Sequence, residues 1–178
     1  MPKAIEPSFF ERPADKVAKD LLGKAIIKLM PDGQTLTYII NETEAYLGEK
    51  DKANHARKGL TARTKVMYGE AGVWYVYLVY GMHYMLNVVT EKEGCPHAVL
   101  IRGAFGVSGP GRLSKLLQVD KSFNGLHLAP ENKLYIADTG FDMAKYKIEK
   151  APRIGIDYAE EWKDKKLRFV LKEKNHVA

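Results

Sequence analysis

Glu42 and Glu44 stand two residues apart in the run Leu36 to Leu47, whose residue types read as a strand. At a rise of about 3.3 Å per residue their carboxylates share a face roughly 7 Å apart. Such a pair suits cleavage of a glycosidic bond, although the same pair also occurs on solvent-facing strands. Glu44, between Thr43 and Ala45, is the stronger candidate. A carboxylate on a half-buried strand is costly unless it is paired, hydrogen-bonded or wet. The bland alternative is a strand-end Glu facing water or pairing with a lysine. His55 follows Asp51-Lys52-Ala53-Asn54 in a long loop and could donate or accept a ligand hydrogen bond. It could equally be a surface residue. The five histidines, His55, His83, His97, His127 and His176, show no H-x-x-x-H pairing, and Cys95 is the one cysteine. No zinc site and no Cys-rich metal site is therefore expected, and an internal disulfide is impossible.

The tyrosines carry more information. Tyr75, Tyr77 and Tyr80 crowd one apolar run, and Tyr84 stands on the next. Packing in a core is the ordinary use of such residues. Tyr80-Gly81-Met82, however, falls at the tip of the expected hairpin, where a large apolar pair is badly placed for a core. Tyr80 and Met82 there could act as a wedge between base pairs, entering from the minor groove. Tyr46 and Tyr77 could sandwich a flat ligand, and a cationic ring would gain further through cation–π attraction. Lys50, Lys52, Arg57, Lys58, Arg63 and Lys65 precede the hairpin, and Arg102, Arg112, Lys115 and Lys121 follow it. Beside an aromatic tip these cations suit phosphate contacts, with a solvated basic face as the alternative. Gly109-Pro110-Gly111 could offer backbone N–H groups to a phosphate, but the Gly-Lys-Ser/Thr ending of a Walker A loop is missing.

These residues need a scaffold. The chain has 178 residues, of which 46% are apolar and 28% charged, with a net charge of +6. That fits one folded domain over residues 1–178 and leans weakly towards an anionic partner. No apolar run approaches the ~20 residues of a membrane-spanning helix, and the N-terminus lacks a signal-peptide stretch, so an intracellular location is expected. Ala14, Val17, Ala18, Leu21 and Leu22 form one helical stripe between Pro13 and Gly23. Strands are expected at residues 25–29, 36–47, 73–80, 83–89, 98–104, 134–137 and 167–171, with short helices at 62–68 and 112–119. Strict alternation along 36–47 puts Tyr38, Ile40, Glu42, Glu44 and Tyr46 on one face. Strands outnumber helices and hairpin-length links dominate. The expected fold is therefore α+β: a single domain with a curved, mostly antiparallel β-sheet, flanking helices and a protruding β-hairpin.

Several long motifs agree in order and spacing. Asn41 to Gly48 reads N-E-T-E-A-Y-L-G, and D-x-A-x-H follows at Asp51 to His55. Trp74 to Asn87 reads W-Y-V-Y-L-V-Y-G-M-H-Y-M-L-N, then V-L-I-R-G-A at Val99 to Ala104 and G-P-G-R-L-S-K at Gly109 to Lys115. Together they closely resemble the alkyladenine (3-methyladenine) DNA glycosylase family, from about residue 8 to residue 171. The resemblance implies an enzyme that flips alkylated or deaminated purines out of double-stranded DNA. It would hydrolyse the N-glycosidic bond without a cofactor or metal and leave an abasic site. By position, Glu44 matches the family's water-activating base and Arg102 an arginine beside that water. Tyr46 and Tyr77 match the aromatics that stack on the flipped base. His55 and Ala53 match contacts to the base or sugar phosphate, and Asn87 a residue opposing the exocyclic amine of guanine. Tyr80 matches the residue filling the gap in the duplex. Arg57, Arg63, Arg112 and Lys115 are phosphate-contact candidates, although Leu60 and Ala62 stand where many relatives are richer in Arg or Pro. A monomer acting on DNA, without a membrane partner, is expected.

Two other readings fit the same elements. One is a non-catalytic nucleic-acid-binding module, by analogy with a similar fold at the end of formyltransferases. The other is an enzyme acting on free nucleosides. Glu44 argues against the first, because a binder of anions has no use for a carboxylate. The hairpin tip and its flanking cations argue against the second.

Overall fold

A computed structural model describes residues 2–174, so His176 lies outside the described residues. Nine strands form one sheet in which every pairing is antiparallel. They are β1 (Ala25–Leu29), β2 (Thr35–Leu47), β3 (Trp74–Val79), β4 (His83–Thr90), β5 (His97–Ala104), β6 (Val107–Ser108), β7 (Leu134–Ala137), β8 (Tyr146–Ala151) and β9 (Arg168–Glu173). The path runs β3-β4-β5-β2-β1-β7, with β6 on β5 and the β8–β9 hairpin attached to β2. With two short α-helices, α1 (Ala14–Asp20) and α2 (Pro110–Leu116), the chain is a single α+β domain.

The helical stripe read from the sequence is the one that packs. Ala14, Val17, Ala18, Leu21 and Leu22 are all buried in the main core. The Thr43 hydroxyl on β2 donates to the carbonyl of Ala18 at 2.8 Å, fixing α1 on the sheet. Gly23, at φ +82°, ends this segment in the left-handed region that glycine tolerates. Helix α2 begins at Pro110, two residues before the expected start, because proline's fixed φ suits the first helical turn. Its Leu113 and the following Leu117 are fully buried. The helix expected over 62–68 shrinks to a 3₁₀ turn at Lys65–Tyr68.

Strict alternation along β2 fails. Its pairing with β5 shifts register on both sides of Glu42, which marks a bulge. Ile40 lies in the main core together with Ala45, residues of opposite parity. Asn41 on β2 and Arg102 on β5 are both left out of the pairing, and across this irregularity the alternation slips by one position, so Ile40 turns inward while Glu42 and Glu44 share the outer face. β8 was not expected. Its sequence, Y-K-I-E-K-A, is polar and its middle is exposed; pairing with β9 and the packing of Tyr146 against Phe105 and Phe141 hold it as a strand.

Candidate active site

Two segments without regular structure close over the outer face of β2. The first follows β2 and contains a 3₁₀ turn at His55–Lys58. Buried Asn54 stiffens it, donating to the carbonyls of Gly48 and Pro96, each at 3.0 Å, and accepting from the N–H of Ala56. The second is Pro152 to Tyr158, after β8. Asp51 and Arg153 join the two. The fully buried Arg153 guanidinium meets the equally buried Asp51 carboxylate at 2.6 and 2.8 Å and also donates to the carbonyl of Ala45. Asp51 further accepts from the N–H groups of Leu47 and Ala53. A buried pair of this kind tolerates desolvation only because nearly every donor and acceptor is used.

Glu44 sits at the bottom, 0% exposed. One carboxylate oxygen accepts from the N–H of Ile154 at 2.8 Å, and the other from the Tyr46 hydroxyl at 2.9 Å. The Arg102 guanidinium lies 3.5 Å from the first oxygen. Burial pushes the Glu44 carboxyl above its ordinary range, and Arg102, the Ile154 N–H and Tyr46 oppose that shift. Arg102 is itself aimed by Glu42, which takes its Nε at 3.2 Å and Arg168 at 2.9 Å. Glu42 does not line the cavity. The two carboxylates are therefore not an acid–base pair: one faces the cavity and the other holds the arginine.

Above Glu44 opens a cavity of about 340 Å³. Its lining includes Tyr46, Ala53, His55, Tyr77, Tyr80, Asn87 and Arg102, which the sequence singled out, Tyr75 from the crowded tyrosine run, and also Ile154 and Tyr158, which it did not. His55 meets the Tyr75 hydroxyl through Nδ1 at 2.9 Å, leaving Nε2 for a ligand. Burial, followed by the charges of Arg63 and Arg57, lowers its pKa to about 4, so the ring is neutral at pH 7. Asn87 uses its side-chain N–H groups on the carbonyls of Tyr75 and Met85.

The β3–β4 hairpin projects beside this opening. Tyr80 and Gly81 both adopt positive φ, 51° and 66°, in a turn closed by the Met82 N–H on the carbonyl of Val79. Tyr80 is 90% exposed and Met82 71%. A tyrosine held in the left-handed region with its ring in water is strained and gives nothing to the core.

The candidate phosphate ligands Arg57, Arg63, Arg112 and Lys115 are all exposed. Arg57 already donates to the carbonyl of Lys52 and covers the Tyr158 ring. Lys115 lies with Met82 along a groove between the hairpin and α2. Among the described residues, no three His, Cys, Asp or Glu side chains converge as a metal site would require, and no helix is long and apolar enough to cross a membrane. The segment from Pro152 to Tyr158 escaped the sequence reading. Its one signal is an apolar island, Ile154-Gly155-Ile156, in a highly charged stretch.

The chain can be set beside known proteins. The family model described as methylpurine-DNA glycosylase (MPG) matches residues 8–108 and 106–175. A protein of Legionella pneumophila (strain Lens) is 45% identical over 177 residues, covering 96% of this chain and 95% of its own. One from Methanocella arvoryzae is 43% identical, over 86% of this chain and 84% of its own. One from Myxococcus xanthus is 42% identical, over 98% and 93%. Each bears the name "Putative 3-methyladenine DNA glycosylase". Likeness of this depth, along nearly the full length of both partners, leaves one placement: the chain belongs to the methylpurine-DNA glycosylase family.

Proposed function

We propose that the chain flips a damaged purine out of duplex DNA into the cavity above Glu44 and hydrolyses its N-glycosidic bond with water. The observation that carries this reading is the state of Glu44. A carboxylate fully withdrawn from solvent, yet bordering a cavity walled by tyrosines, costs stability. A binding module gains nothing from that cost, whereas a general base needs it.

Extrusion of the nucleotide costs a few kcal/mol, least at a damaged pair. Tyr80 offsets part of this by filling the space left in the stack. Tyr46, Tyr77 and His55 hold the base. The Glu44 carboxylate takes a proton from water, whose oxygen bonds to C1′ of the sugar. The C1′–N bond breaks and its electron pair leaves with the purine. The same carboxylate stabilises the positive charge that builds on the sugar, and Arg102 keeps it ionised against burial. Among the described residues no lysine lines the cavity, which favours water over an amine as nucleophile and hence a monofunctional enzyme. Tyr80, exposed at the mouth, favours duplex DNA over free nucleosides.

The test is release of 7-methylguanine, 3-methyladenine, hypoxanthine and ethenoadenine from defined duplexes. Excision of none of them overturns the reading. The acid limb of that reaction has a stated position. Glu44 must be ionised and its pKa is raised, so the rate falls as pH drops through a value above the ordinary 4.5 of a glutamate. His55, at about 4, titrates below that range. A single-turnover profile flat down to pH ~4.5 would remove Glu44 as base.

The tip gives a second expectation. Tyr80→Asn places a residue tolerant of positive φ where a strained tyrosine stands. Thermal stability should hold or rise slightly, while affinity for a duplex carrying an abasic analogue drops about tenfold, in line with a lost stacking contact. Unchanged affinity would deny Tyr80 its place in the duplex.

A further inference from the structure

Tyr46 and Tyr77 invite a cationic ring, because an open aromatic face attracts positive charge. The structure puts positive charge there already. The Arg153 guanidinium lies 4.7 Å from the centre of the Tyr46 ring, and that of Arg63 lies 5.1 Å from the centre of Tyr77. Neither arginine lines the cavity, although both tyrosines do. Each guanidinium therefore stands outside the cavity, over a ring that forms part of its wall. The two differ in one respect. Arg153 is neutralised by Asp51, whereas among the described residues no carboxylate pairs with Arg63.

We propose that Arg63, over the Tyr77 ring and outside the cavity, sets the charge preference of the cavity by disfavouring cationic bases relative to neutral ones. This rests on the glycosylase reading and names the class of base within it. A cation on one face of a ring draws π-density towards itself and leaves less for a cation on the other. Its direct repulsion acts in the same sense. A neutral purine loses nothing by either route. His55 lies in the same field. It packs against Tyr77 with ring centroids 4.5 Å apart. Burial does most to keep this second cationic-capable ring unprotonated, and the charges of Arg63 and then Arg57 add to it. The rate of an alkylated, positively charged base is thus left to its weaker glycosidic bond, and the cavity's own selectivity lies with uncharged lesions.

The experiment compares wild type with Arg63→Gln and Arg63→Lys in single-turnover release of 7-methylguanine, which is cationic in the nucleotide, and hypoxanthine, which is neutral. Arg63 is exposed, so the variants should fold, and melting curves check this. Loss of a phosphate contact lowers both rates alike and cancels in their ratio. Arg63→Gln should raise the 7-methylguanine to hypoxanthine ratio about three- to fivefold, the size of an exposed cation–π interaction. Arg63→Lys, which keeps the charge, should stay near the wild-type ratio. A ratio that is unchanged or lowered in Arg63→Gln overturns the inference, as does an equal rise in Arg63→Lys. If wild type releases neither base but frees 3-methyladenine or ethenoadenine, this inference falls alone; if it frees none of the four, the glycosylase reading fails and takes this inference with it.

Discussion

Glu44→Gln should abolish base release, by about a thousandfold or more, while leaving affinity for lesion-containing duplex close to wild type. The amide is isosteric. Its oxygen can still accept from the Ile154 N–H, and its nitrogen can still meet the Tyr46 oxygen. What disappears is the capacity to take a proton from water and to oppose positive charge on the sugar. The same variant should melt higher, by about 3 °C, because a buried charge is removed. The direction follows from the linkage. Folding raises the Glu44 pKa, so folding favours the protonated form, and stability is lost as pH rises through the folded pKa. At neutral pH the ionised side chain is a net cost that glutamine lacks. Faster melting together with lost activity would point to a structural role. Retained turnover would end the mechanism.

Arg153→Met should be the most destabilising single change near the site. It strands the Asp51 carboxylate in the interior, where the two backbone N–H groups of Leu47 and Ala53 are left to hold it. Breaking a buried pair from one side costs about 3–5 kcal/mol, roughly 10 °C for a chain of this size. Adding Asp51→Asn to that variant should recover part of the loss, since no lone charge then remains. Circular-dichroism melts of the two proteins decide it. If Arg153→Met melts like wild type, or if the second change makes matters worse, the pair is not what joins the two segments. Base release by Arg153→Met, assayed cold enough to keep it folded, should also fall about tenfold or more. The guanidinium sets the position of Tyr46 through its ring and of Ile154 through the chain, and small displacements in a site are expensive.

Much of this molecule could be read without coordinates, for local reasons. The α1 stripe, the β3–β4 hairpin and its apolar tip each follow from residues within one turn or one strand of each other. Residue types marked Glu44, Tyr46, His55, Tyr77 and Tyr80, and the family resemblance added Ala53, Asn87 and Arg102; all of them border the same cavity. The irregularity beside Glu42 was invisible, because nothing in the sequence of β2 announces where its pairing with β5 slips. It appears only when β5 and β9 fix the register. The polar strand β8 was missed because its propensity is overruled by its partner. The partner of Asp51 stands 102 positions away, and the Ile154 N–H that holds Glu44 stands 110 away. The amino-acid order by itself determined which residues could do the chemistry and the elements that carry them. Only the tertiary structure decided which carboxylate is buried, what aims Arg102 and which charges lie over the tyrosines. Those properties depend on desolvation and on charge separations of a few ångströms, and such distances between remote segments exist only once the chain has packed.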